Sequence, residues 1–260
     1  MSLPEKRKQL ILDYLATNEF GDVSTFVELL NVSPATIRRD LTELADRGLI
    51  IRTHGGASRS VQGLGHEPSY HSRAKENVHS KQLIAQTATQ FIHEGEVIAI
   101  DVGSSTLELA KHLRDYRKIT VFTANILVAD VLANSEVNVI LVGGTLRKRE
   151  MSVAGPIAVQ IINQFYFDKF FLGTAGVSIE DGFTDFSVDD VDVKKAFVSH
   201  AKEIIALADH TKLGKVSFAK ICPLSKVSHL ITDSVPDEAY IEGLQNSGLD
   251  VVAASNSNRT

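Results

Sequence analysis

Cysteine is almost missing from this chain: Cys222 stands alone among 260 residues. That excludes an internal disulfide and a multi-cysteine metal cluster, and a reducing cytoplasm is the expected setting. No apolar run is long enough to cross a bilayer, so no membrane partner is expected. The segment Met1 to Gln9 is charged where an export signal would be apolar. Internal repeats and low-complexity tracts are absent as well. So is an excess of positive charge. The formal charge is −5 and the pI about 6.0, which weighs against a chain wholly devoted to nucleic acid, because phosphate contacts need Lys and Arg. It does not weigh against a small DNA-reading module joined to an acidic sensor, since binding depends on where the charges sit.

What is present fits two domains. Hydrophobic residues make up 43% of the chain, enough for a packed core, and 260 residues exceed the usual size of one domain. Residues 1–57 read as helices ending in a hairpin, 58–74 as a Gly- and Pro-containing linker, and 75–260 as an α/β domain. In the last part short β-branched runs alternate with helical patterns. Strands are expected at Val97–Ile100, Ile119–Phe122, Val137–Val142, Phe167–Leu172, Ile204–Ala208, His229–Thr232 and Val251–Ala253. Helices are expected at Lys81–His93, Leu107–Leu113, Ile126–Ala133 and Val191–His200. Strands this short and apolar, alternating with helices, imply a doubly covered, mainly parallel sheet.

The N-terminal part carries an amphipathic stretch, Lys6 to Leu15, and a second short helix, Val23 to Leu30, with Ser24 a candidate cap. A third helix runs from Pro34 to Arg47, with Ser33 as N-cap and Pro34 in its first turn. Ile37, Leu41, Leu44 and Ala45 form its apolar face, and Thr36, Arg38, Arg39 and Asp40 lie opposite. Leu49 to Arg52 and the Gly55-Gly56 turn suggest a wing. In a helix-turn-helix the start of the second helix meets base edges, and arginine can bond guanine O6 and N7 together. Ser33, Thr36, Arg38 and Arg39, with Arg52 and His54 of the wing, are therefore the candidate contacts to double-stranded operator DNA. A three-helix bundle with a solvated basic face has the same periodicity.

Small-residue loops follow the expected strands. Asp101-Val102-Gly103-Ser104-Ser105-Thr106 opens a helix, where backbone N–H groups face an anion and hydroxyls add donors. Gly143-Gly144-Thr145, Gly173-Thr174-Ala175-Gly176 and Asp209-His210-Thr211-Lys212 follow three further strands. In open α/β sheets ligands bind at the carboxyl ends of strands. Neither the P-loop spacing nor Gly-x-Gly-x-x-Gly occurs. One phosphate on a polyhydroxyl body suits the composition better than a nucleoside triphosphate with Mg²⁺. Asp101, Asp209, Lys194 and Lys212 could also serve acid–base chemistry, so a sugar-phosphate isomerase-like enzyme with a helical appendage is the alternative. His66 and His71 have a spacing that some zinc sites use, but no second ligand pair accompanies them.

The string Val32-Ser33-Pro34-Ala35-Thr36-Ile37-Arg38-Arg39-Asp40-Leu41, followed by Arg52-Thr53-His54-Gly55-Gly56-Ala57, closely resembles the DeoR family of transcriptional regulators. The resemblance implies a winged helix-turn-helix joined to a sensor domain similar in fold to ribose-5-phosphate isomerase and CoA transferases. It implies a repressor of carbohydrate-metabolism genes that binds a phosphorylated sugar, with no cofactor, metal or catalytic residue. By the same resemblance Asp101, Gly103, Ser104, Ser105 and Thr106 form the phosphate or sugar loop, and Asn125, Gly143, Gly144, Gly173 and Gly176 line the pocket. Lys194, Asp209 and Lys212 surround the ligand; Arg73 and Lys81 match family positions without an assigned contact. Aspartates replace the family's frequent glutamates in Asp189-Asp190-Val191-Asp192-Val193-Lys194, which retracts any carboxylate by one methylene. Because paired half-sites are the usual target of such heads, a homo-oligomer, dimer or tetramer, is expected.

Overall fold

The structure is a computed structural model that describes residues 3–18, 20–53, 55–59, 67–235 and 237–254. The chain divides into two compact units, Met1–Lys75 and Glu76–Thr260.

The first unit contains α1 (Leu3–Thr17), β1 (Phe20–Asp22), α2 (Val23–Leu30), α3 (Pro34–Asp46), β2 (Ile50–Arg52), β3 (Gly56–Arg59) and α4 (Tyr70–Lys75). Ile11, Leu15, Phe26, Ile37, Leu41, Leu44, Ile50 and Ala57 close its core. At about 1.5–3 kcal/mol for each large side chain buried, these residues hold the helices together. Ser33 caps α3 by accepting the Thr36 N–H at 3.2 Å, and Pro34 occupies the first turn. The cap of α2 is Asp22, not Ser24: its carboxylate accepts from the Thr25 N–H and from the Ser24 hydroxyl, both at 2.7 Å. Three N–H and O–H donors close to one carboxylate hold Asp22 below the usual carboxylate range. β1, β3 and β2 form an antiparallel sheet in that order. Gly56 is required there, because a Cβ would lie 2.2 Å from the Gly21 carbonyl oxygen. The stretch expected as linker contains structured ends: Ser58 and Arg59 finish β3, and Tyr70–Lys75 is α4.

The second unit runs α5 (Val78–Ala88), β4 (Val97–Ile100), α6 (Ser104–His112), β5 (Thr120–Thr123), α7 (Ile126–Leu132), β6 (Asn138–Leu141), β7 (Thr145–Arg147), β8 (Ser152–Ala154), α8 (Pro156–Ile162) and β9 (Phe167–Gly173). It continues with β10 (Gly176–Ser178), β11 (Gly182–Asp185), α9 (Val188–His200), β12 (Ala201–Leu207), β13 (Ala219–Cys222), β14 (His229–Thr232), α10 (Glu238–Asn246) and β15 (Asp250–Ala253). Seven strands form one sheet in the order β15-β14-β12-β9-β4-β5-β6. Every neighbouring pair in it is parallel. Covered on both faces, the central strands are wholly apolar in Ile98, Ala99, Ile100, Phe170 and Phe171. Phe197 of α9 stacks on Phe170 with ring centroids 5.0 Å apart.

This strand order has a turning point. From β4 the chain steps outward through β5 to β6; from β9 it steps the other way through β12 and β14 to β15. The loops after β4 and β9 therefore diverge, and their carboxyl ends border a crevice of the kind where open α/β sheets bind ligands. A smaller antiparallel sheet, β10-β11-β13, grows from the end of β9 beside it.

Candidate functional site

On the first unit, Arg38 and Arg39 are exposed side by side near the start of α3, and Thr36 is half-buried beside Ser33, their hydroxyls 2.9 Å apart. Asp40 does not join them. It is buried and forms a two-pronged ion pair with Arg7 of α1, so its place in the motif has a structural cause: it ties α3 to α1. Lys8 adds a second tie, 2.7 Å from Glu43. The wing is fixed by Arg52, whose guanidinium donates to Thr42 Oγ1 at 2.9 Å. The Thr42 hydroxyl in turn donates to the Arg38 carbonyl at 2.7 Å. Arg52 thus reaches the recognition helix, and Thr42, which motif reading passed over, holds it there. His54 lies outside the described residues. Charge is partitioned as a reading head needs: residues 1–75 carry ten Lys and Arg against nine Asp and Glu, and the remainder seventeen against twenty-three.

In the second unit the crevice between β4 and β9 is built from backbone and one buried cluster. Gly103 caps α6 without a side chain, so the N–H groups of Ser104, Ser105 and Thr106 precede the first intrahelical bond, made by Leu107. A Cβ on Gly173 would lie 3.1 Å from the Val102 carbonyl and 3.4 Å from Asp101 Oδ2, so the last residue of β9 packs against the chain just as it leaves β4, before the two loops diverge. The Asp101 carboxylate accepts the Gly173 N–H at 2.9 Å and pairs with Lys194 of α9. Lys194 also donates to the Gly173 carbonyl at 2.9 Å and lies 3.1 Å from Asp185 at the end of β11. Asp101 and Lys194 are each 1% exposed. Burial pushes the Asp101 carboxyl up, against the pull of the Lys194 ammonium. For Lys194 burial works against the charge, but Asp101 and Asp185 together hold its pKa above the usual lysine value, so it stays an ammonium.

Other expected residues sit on the same edge with different duties. The Thr106 hydroxyl is fully buried and donates to the Asp101 and Gly103 carbonyls, fastening the loop from inside. Ser104 is buried at the helix start and Ser105 is half-buried. Asn125 is fully buried; its Oδ1 accepts the Leu127 N–H, capping α7. Its Nδ2 and the paired Ser152 Oγ have no hydrogen-bond partner among the described residues. Gly143 and Gly144 are exposed beyond β6, and Gly144, at φ 154°, leaves no room for a Cβ against the Ala154 carbonyl at 2.7 Å. Gly176 is buried within β10, where a Cβ would meet the Lys215 carbonyl at 2.4 Å.

Beyond β12, Asp209 is buried and caps a short 3₁₀ turn, His210–Lys212, by accepting from Thr211 N at 3.0 Å. Asn77, just before α5, donates to it at 3.2 Å. Lys81 is buried and donates to the Glu76 carbonyl, while Lys212 is half-buried. Asp192 points away, exposed on α9. Asp185 was missed because nothing local to Thr184-Asp185-Phe186 marks it. Its partner lies on another element.

Comparison with known proteins settles the class. A model of the DeoR-like helix-turn-helix domain matches residues 7–62, and one of the DeoR C-terminal sensor domain matches residues 76–234. The chain belongs to the DeoR family of transcriptional regulators. It is 35% identical to the HTH-type transcriptional regulator GlpR of Haloferax volcanii over 96% of this chain and 98% of that one. It is also 35% identical to the HTH-type transcriptional repressor GlcR of Bacillus subtilis, over 95% of each. Identity to the glycerol-3-phosphate regulon repressor of Escherichia coli is 29%, over 92% and 94%. Among solved structures, ribose 5-phosphate isomerase A from Methanocaldococcus jannaschii matches 53% of this chain and 55% of that one at 15% identity and a TM-score of 0.41. The curated relatives are named as regulators and repressors, so this DeoR-family chain is a DNA-binding regulator and not an isomerase. No described helix is long and apolar enough to cross a membrane, and the described residues contain no His/Cys/Asp/Glu group able to hold a metal.

Proposed function

We propose that this protein is a repressor of carbohydrate or polyol metabolism genes that releases its operator when a phosphorylated sugar or sugar-derived metabolite binds the sensor. The observation that supports this most is the start of α6 at the sheet's turning point, where Gly103 offers no side-chain cap and the N–H groups of Ser104 to Thr106 precede the first intrahelical bond. The regulon of the E. coli relative, named for glycerol 3-phosphate, points to the same ligand class.

The geometry narrows the contacts. At about 4.8 Å per strand, the four steps from β6 to β12 separate Gly143 from Asp209 by roughly 19 Å along the sheet edge, a span that a single pentose or hexose phosphate does not cover. The ligand is therefore centred on Asp101–Thr106 and Gly173, with its far end toward the Asp209–Lys212 turn. Lys194 has its three donor directions filled by Asp101, Gly173 and Asp185, so it braces the loops and leaves phosphate to the α6 N–H groups and Lys212. On the DNA side, Arg38 and Arg39 read bases, with Arg52 and His54 in the wing. A homo-oligomer presents two such heads to paired half-sites. Binding regulates DNA through unequal affinity for two arrangements of the assembly. The test is a thermal-shift screen of sugar and polyol phosphates, then operator binding with and without the hit. Ser104→Ala with Lys212→Ala should abolish the ligand response and leave operator binding near normal. Release of DNA by the double variant at the wild-type ligand concentration would place the pocket elsewhere.

A further inference from the structure

The cluster beneath the α6 N-terminus has an unbalanced charge. Asp101 and Asp185 bring two carboxylates to one ammonium, that of Lys194, and the Lys194 side chain is 1% exposed, Asp101 1% and Asp185 13%. All three ammonium donors are spent inside the cluster. The charged groups acting on Asp101 are Lys194 from α9 and Asp185 from β11; β9 supplies the Gly173 N–H, and the backbone of Val102 a further donor. With both carboxylates ionised, the cluster carries one net negative charge under the place where an anion is to sit. Repulsion between like charges in a partly dry crevice is strong, and a proton removes it.

We propose that an anionic effector binds this sensor together with one proton, taken from solvent onto the Asp101 carboxyl, and that Asp185 is the positioning residue that sets this coupling. The inference rests on the anion reading of the α6 N-terminus. Asp185 acts through Lys194: it shares the ammonium with Asp101 and adds its own charge, leaving Asp101, the more deeply buried of the two, the group that accepts the proton. Burial of Asp101, which pushes its carboxyl up, works in the same direction. By linkage, a ligand that binds with a proton raises the proton affinity of the site as much as the proton raises the ligand's affinity. The consequence for the regulator is a response that weakens as pH rises between the effector-free and effector-bound Asp101 midpoints, by about tenfold in total for each pH unit that separates them.

The experiment follows the Asp101 carboxyl carbon by NMR in the full chain labelled with ¹³C-aspartate, its resonance assigned by loss in Asp101→Asn. Sulfate is the probe because it remains a dianion across the titration, with chloride at matched ionic strength as control. In the wild type, saturating sulfate should raise the Asp101 midpoint by about one pH unit or more. Asp185→Asn should lower the sulfate-free midpoint and remove most of the sulfate effect, and Asp185→Glu, which keeps the charge, should retain it. Amide spectra report whether each variant is folded. A purely structural Asp185 would leave the midpoints unmoved. If sulfate shifts the Ser104 to Thr106 amides saturably while the Asp101 midpoint stays put, the anion site stands and the coupling is wrong. If those amides respond to neither sulfate nor glycerol 3-phosphate, the anion site fails and the coupling falls with it.

Discussion

Replacing Lys194 by Met keeps a long apolar stem and deletes the ammonium. Asp101 is then a buried carboxylate with the Gly173 N–H but no cation, Asp185 loses its partner, and the Gly173 carbonyl loses a donor. Removing one member of a buried ion pair costs about 3–5 kcal/mol, and the orphaned carbonyl about 1 kcal/mol more. Against a domain stability of about 5–15 kcal/mol that is a large fraction. In a unit of this size it corresponds to a fall in Tm of roughly 8–24 °C. The loss has a pH signature. Without the pull of Lys194 the Asp101 carboxyl, already pushed up by burial, rises further, so the folded variant takes up a proton that the unfolded chain does not hold. The variant therefore regains stability as pH falls from 7.5 toward 5, and its gap to the wild type narrows. Calorimetry over this range checks the size, and native-state hydrogen exchange at the amides of β4 and β9 reports the sensor separately from the N-terminal unit. A loss below about 1 kcal/mol at pH 7.5, or one of equal size at pH 5 and pH 7.5, would refute the account of Lys194 as the cation bracing two buried loops.

Three further outcomes are expected. Arg38→Ala or Arg39→Ala should weaken specific operator binding by about 1–3 kcal/mol, measured by fluorescence anisotropy at fixed salt; equal loss on operator and unrelated DNA would make that arginine a phosphate contact. Burial pushes the Cys222 thiol up to about 12, so it should react with a disulfide reagent at pH 8 only as fast as the protein unfolds; prompt reaction in buffer would contradict its burial at the end of β13. Burial works against the Asp233 charge, but hydrogen bonds from Ser80 and from the His210 N–H at 2.8 Å hold its carboxyl below the usual range. Asp233→Asn should therefore cost stability at neutral pH and converge on the wild type as pH falls below the ordinary carboxylate value and through the lowered one; a difference that persists in acid would point to lost packing instead.

Much of the sensor was legible because its parallel strands are short, apolar and buried on both faces, so that His229–Thr232 and Val97–Ile100 announce themselves without partners. The loops after them were legible for the same reason. What escaped depends on distant residues. β1 is three residues, Phe20-Gly21-Asp22, too few for any periodicity, and exists because β3 pairs with it from 56–58. The small sheet β10-β11-β13 has strands of three or four residues and is likewise defined by pairing. Asp40 looks solvent-facing by helical position, and only Arg7, on another helix, makes its burial tolerable. Lys194 shows nothing in one dimension of the buried pairing with Asp101 and Asp185 that surrounds its ammonium in three.

The return of the chain to α3 bears on how such regulators can be recombined. The Ser69 N–H donates to the Asp46 carbonyl at 3.2 Å, at the last residue of the recognition helix, and α4 begins directly after it. Ser69 and α4, which follow the stretch expected as linker, thus belong to the same unit as the reading head. A chimera that exchanges reading heads between relatives should be spliced after Lys75, carrying α4 with the head. A splice near residue 58 would leave the end of α3 without the segment that holds it, and transplant an address without its mount.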